Sequence, residues 1–184
     1  MGRTPRIHRV RTAARGFTLM EATLAVVIVA FGFLATMELF ASCTVENQRS
    51  AQMTTAQMLT TSIQELTTGL AFKDPYYATG GVAIEPGETP AKFNDVDDYD
   101  GFISCPPIDA TRATIDELSQ YTQKVFVMPI DPNRPGANYN INAREIPQST
   151  YTGAVRVRVI IEYRRSPKDP PVEVLNSSWI RLDD

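Results

Sequence analysis

Histidine and cysteine are scarce in this chain of 184 residues, and the scarcity excludes several kinds of catalytic site. The one histidine is His8, so the chain after it has no imidazole for general-base catalysis or metal binding. Phosphate-loop and nucleophile-elbow motifs are absent, as are the Cys and His spacings of metal sites. We therefore expect a protein that is not an enzyme and requires no cofactor.

Charge is absent from residues 22–37, a run of 16 residues within a longer apolar stretch, 17–40. A helix over 17–40 is long enough to cross roughly 30 Å of hydrocarbon. The leader, residues 1–16, has five arginines and no acidic residue. By the positive-inside rule the leader stays in the cytoplasm and the chain after residue 40 is exported. The sequence thus predicts a single-pass protein of the plasma (inner) membrane, in contact with the lipid bilayer, with an extracytoplasmic domain.

One carboxylate, Glu21, lies near the start of the apolar stretch, where an ionised side chain is expensive unless it has a partner. If the chain were cut between Gly16 and Phe17, the new α-amine of Phe17 would supply such a partner. An ordinary secretory signal and a plain membrane anchor both explain an apolar stretch, but neither explains a carboxylate inside it.

The segment from Gly16 to Glu21, between a basic leader and an apolar helix, resembles the class III signal of type IV pilins and type II secretion pseudopilins. Met20 replaces the isoleucine or valine that is commoner in that family. The positions that match are Gly16, Phe17, Thr18, Leu19 and Glu21.

The resemblance implies that a prepilin peptidase/N-methyltransferase cuts between Gly16 and Phe17 and methylates the new amino terminus at Phe17. It implies that Glu21 guides assembly by pairing with the amine of a neighbouring subunit. The partners it implies are other pilin or pseudopilin subunits and an inner-membrane assembly platform. Adhesive and motile pili, type II secretion and DNA uptake all use such subunits.

Beyond the apolar stretch, proline is absent between residues 38 and 70, and apolar residues recur at helical spacing. We predict one helix from residue 17 to about residue 68, with residues 41–70 forming its exported continuation. Gly69 and then Pro75 supply the signals that end it.

Residues 71–184 are rich in proline and glycine and are expected to form one globular, β-rich domain. The patterns predict strands over 121–130, 154–163 and 172–182, the last two as an antiparallel hairpin. Because alternation along a strand gives one buried face, the second half of the helix is expected to cover the sheet. The fold class is therefore α+β with three or four strands, which is also the pilin-like arrangement that the resemblance implies.

The charge balance argues against nucleic acid as a partner. The full chain has a formal net charge of −3. Removing the leader takes five of the 18 basic residues and none of the 21 acidic ones, which leaves 13 and 21 and a net charge of −8. Phosphates should repel such a chain, so no contact with nucleic acid is predicted.

An acidic loop, residues 94–107, contains four carboxylates within six positions, just before Gly101. Oxygen ligands packed this closely can bind Ca²⁺, although Tyr99 at the fifth place and Pro106 at the twelfth break the EF-hand register. The competing interpretation is a solvated turn whose carboxylates accept local backbone hydrogen bonds. The candidate calcium ligands are Asp95, Asp97, Asp98 and Asp100.

This acidic element, with the paired prolines Pro106-Pro107 after it, also looks similar to regions of minor pseudopilins and of pilin-like proteins of the mannose-sensitive haemagglutinin group. That likeness implies a minor rather than a major subunit.

The two cysteines, Cys43 and Cys105, both fall in the part of the chain that is expected to reach an oxidising compartment. A disulfide between them is one alternative, but two cysteines without a spacing signature do not establish it.

Two functions follow from these features. The first is a structural subunit, a minor pilin or pseudopilin, that assembles into a type IV pilus or a type II secretion pseudopilus through its amino-terminal helix. The second is a membrane-anchored or filament-tip domain that binds a ligand as an adhesin, with Ca²⁺ ordering the acidic loop. An adhesin should bind its ligand as an isolated soluble domain, whereas an assembly subunit should recognise other pilin-like subunits.

Overall fold

A computed structural model describes residues 16–72, 88–135, 137–138, 140–147, 150 and 152–183. The predicted leader lies outside the described residues except for Gly16.

The first element is helix α1, Leu19–Gly69, which contains 51 residues and agrees with the predicted helix. The peptide groups just after its end are bonded by the rest of the chain. The Leu70 carbonyl accepts a hydrogen bond from the Arg181 guanidinium, and the Ala71 carbonyl accepts one from the Val96 N–H at 3.1 Å. The carbonyl groups of the two residues that follow the last helical turn are therefore satisfied.

The chain divides into two compact units, Met1–Asn47 and Gln48–Asp184. In the first unit every described residue is exposed, and the described part is helical from Leu19 onward. This unit has no apolar core of its own among the residues that the structure describes.

The second unit buries one stripe of α1. Ala56, Leu59 and Ile63 are fully buried, at the spacing of three and four residues that places side chains on one helix face. Full burial of a leucine or isoleucine side chain contributes about 1.5 to 3 kcal/mol each.

Four antiparallel strands form one sheet in the second unit, in the order β1-β2-β3-β4. Three of them, β2, β3 and β4, agree with the predicted strands, while β1 has only two residues and was not predicted. The strands are β1 (Ile103–Ser104), β2 (Tyr121–Pro129), β3 (Ala154–Tyr163) and β4 (Val172–Leu182). The helix and this sheet make the fold α+β, as expected.

The core lies between the sheet and the buried stripe of α1. Alternate residues of β2 are buried, while β3 buries residues 154–157, 159 and 161. In the register of the two strands, Val125 pairs with Val159 and Val127 with Val157. These side chains belong to the same apolar cluster as Leu59 of the helix. The prediction that the second half of the helix covers the sheet is confirmed.

A polar side chain, Gln123, crosses this core and is fully buried. Its Nε2 donates to the Leu59 carbonyl at 2.9 Å, and its Oε1 accepts from the Ile108 N–H at 3.1 Å. One side chain of β2 thus joins the helix to the loop before the strand, and both ends of its amide are satisfied.

Candidate functional site

The segment before α1 carries the residues that the sequence assigns to processing and assembly. Gly16 and Phe17 precede the helix in non-helical backbone, and the Phe17 side chain is 77% exposed. A Cβ added to Gly16 would meet no atom within 4 Å. The peptide bond between Gly16 and Phe17 is therefore not shielded by any described part of the chain.

Thr18 and Glu21 form a reciprocal helix cap. The Glu21 Oε2 atom accepts hydrogen bonds from the Thr18 N–H and the Thr18 hydroxyl, both at 2.9 Å. In return, the Glu21 N–H donates to the Thr18 Oγ1 atom at 3.2 Å. This is the capping box expected where threonine stands three residues before glutamate at the start of a helix. The cap gives Glu21 a structural role that we did not infer from the sequence, although the Thr-x-x-Glu spacing predicts a capping box.

The apolar side chains that follow Glu21 are exposed. Leu24, Ile28 and Phe31 are each at least 61% exposed, and the most apolar window of α1 has none of its residues buried. In the part of the chain that the structure describes, α1 is the one helix long and apolar enough to cross a membrane. The full exposure of this window distinguishes it from the core helix of a soluble protein. Contiguous exposed apolar surfaces of this kind mark contact with lipid or with other proteins.

The first part of the acidic loop, residues 95–99, is buried, which corrects the expectation of a solvated turn. Asp95 and Asp98 are at most 1% exposed, and Asp97 is 9% exposed. The reason is the aromatic cluster that the loop contributes to the core, in which the rings of Phe93 and Tyr99 meet edge to face at 5.0 Å. Burying these rings carries the carboxylates between them into the interior.

The carboxylates of this loop bind backbone N–H groups, as the competing interpretation expected. Asp98 Oδ2 accepts from the N–H groups of Asn94 at 2.7 Å and of Asp95 at 3.2 Å, while Asp95 Oδ1 accepts from the Asp98 N–H at 3.2 Å. Asp100 Oδ1 accepts from the Val127 N–H of β2 at 2.8 Å. The loop is thereby fastened to itself and to the sheet.

The electrostatics of the loop favour a retained proton. Burial is the largest cause that raises the pKa of Asp95, and together with the hydrogen bond to Asp97 and the charges of Asp97 and Asp98 it brings that pKa to about 9. At neutral pH Asp95 is therefore a neutral acid, which lowers the electrostatic repulsion among the carboxyl groups of the loop.

Among the described residues, no group of three or more His, Cys, Asp or Glu side chains is arranged to hold a metal ion.

Cys43 and Cys105 are both exposed free thiols. They belong to different compact units, so the disulfide considered from the sequence stays a prediction. Within its own unit, the Cys105 Sγ atom faces the Ser119 carbonyl at 3.6 Å.

Comparison of the chain with protein-family models, with curated proteins and with solved structures gives no match. The functional argument therefore depends on the residues and geometry of the chain itself.

Proposed function

We propose that this chain is a structural subunit, a minor pilin or pseudopilin, of a type IV pilus or a type II secretion pseudopilus. In this proposal a prepilin peptidase cuts between Gly16 and Phe17 and methylates Phe17, and the subunit then assembles through its amino-terminal helix. The observation that supports it most is the position of Glu21, a lone carboxylate at the start of an exposed apolar helix and five residues after an unshielded Gly-Phe bond.

Two features of the described residues fit this role together. The exposed apolar first half of α1 needs lipid before assembly and neighbouring helices afterwards to cover it. The second half is committed to its own sheet through Leu59 and Ile63. A filament subunit requires both properties, because the first half of the helix must move from lipid to contacts with neighbouring helices while the domain on the second half stays folded.

The proposed chemistry at Glu21 is the pairing of a carboxylate with an amine. After the cut, Phe17 would carry an α-amine, which is protonated at neutral pH because its ordinary pKa is about 7.7 to 8.0. In a site of low dielectric, a matched pair of charges fixes the register of neighbouring helices more than it adds stability. Glu21 would then fix the axial offset between neighbouring subunits in the filament.

The first test is amino-terminal sequencing with intact mass measurement on the protein recovered from its native membrane. We expect a chain that begins at N-methylated Phe17, and we expect the Gly16→Leu variant to keep its leader. A start at Met1 in cells with an active prepilin peptidase would instead indicate a plain anchor. A start beyond about residue 40 would indicate an ordinary signal peptide.

The second test separates charge pairing from helix capping at Glu21. The Glu21→Gln variant loses the charge, but glutamine still serves in a capping box. We expect it to insert and to be cut normally while entering filaments poorly, as we also expect for Glu21→Ala. The matched control is Glu38→Gln, which removes an exposed carboxylate at the other end of the uncharged run. Normal incorporation of Glu21→Gln would contradict the pairing role and leave the cap as the function of this side chain.

A further inference from the structure

We draw no further inference here: the strongest candidate, the outer edge of strand β4, where Val172, Ile180 and Leu182 are exposed, carries nothing because no feature of the described residues shows what covers it.

Discussion

The buried amide of Gln123 supports the sharpest prediction about stability. Replacing it by leucine keeps a side chain of similar size but removes both hydrogen bonds of the amide. The Leu59 carbonyl keeps its partner within the helix, whereas the Ile108 N–H, in a residue 3% exposed, is left without an acceptor. An orphaned buried donor costs about 1 to 3 kcal/mol, and the lost bond to the Leu59 carbonyl costs about 1 kcal/mol more. Allowing for the greater hydrophobicity of leucine, we expect Gln123→Leu to lower the free energy of unfolding by about 2 to 3 kcal/mol.

The assay is thermal unfolding of the full chain in detergent micelles, followed by the fluorescence of Trp179. This is the one tryptophan of the chain, and it packs against the core. For a unit of this size, a loss of 2 to 3 kcal/mol corresponds to a fall in Tm of about 10 °C. The matched control is Gln57→Leu, an identical change at an exposed helix position, which should shift Tm by less than about 2 °C. Equal Tm values for the two variants would refute the argument that Gln123 joins the helix to the loop.

Three further predictions concern the acidic loop and the end of the helix. Because the pKa of Asp95 is raised from 3.8 to about 9, the folded chain binds more protons than the unfolded chain between those values, so its stability should fall as the pH rises through that window. Asp95→Asn should remove that fall, so its free energy of unfolding should exceed that of the wild type by on the order of 2 kcal/mol at pH 8 and equal it near pH 3. If urea unfolding shows the same pH dependence of stability for both proteins, the assignment is wrong. Calcium at about 1 mM should change Tm by less than about 1 °C, since Asp95 and Asp98 already serve backbone N–H groups; a rise of several degrees, absent with magnesium, would instead favour a calcium-ordered loop. Arg181→Leu, which removes the guanidinium bonded to the Leu70 carbonyl, should cost about 1 kcal/mol, and Arg165→Leu at an exposed position should cost almost nothing; equal unfolding free energies for both would show that the bond to Leu70 is without effect.

Much of the fold was predictable because its elements carry strong periodic patterns. The long helix lacks proline and ends at Gly69, and β3 alternates Val155, Val157 and Val159 with the polar residues Arg156 and Arg158. Each of these signals is local, since it depends on residues within one helix turn or one strand. The predicted bounds of the helix and strands agree with the observed ones because the spacing of apolar residues in the sequence corresponds to the residues that are buried.

The contacts that were not predictable join residues distant in the sequence. Gln123 bonds to the carbonyl of Leu59, 64 positions away, and nothing in the local pattern around either residue indicates it. The short strand β1 has two residues, too few for an alternation to be visible. The burial of Asp98 depends on the aromatic rings beside it, so composition alone predicted the opposite environment.

The cap at the start of α1 and the proposed pairing of Glu21 are compatible, because they use different atoms. Both hydrogen bonds from Thr18 end on Oε2, and no described residue donates to Oε1. An ionised carboxylate has about four lone-pair sites, so an amine can approach Oε1 while the cap is kept. The cap also fixes the direction in which Oε1 points, which reduces the conformational entropy lost when a neighbouring amine binds. A cut after Gly16 leaves Thr18 in place, so the proposed pairing would act on a carboxylate that is already oriented.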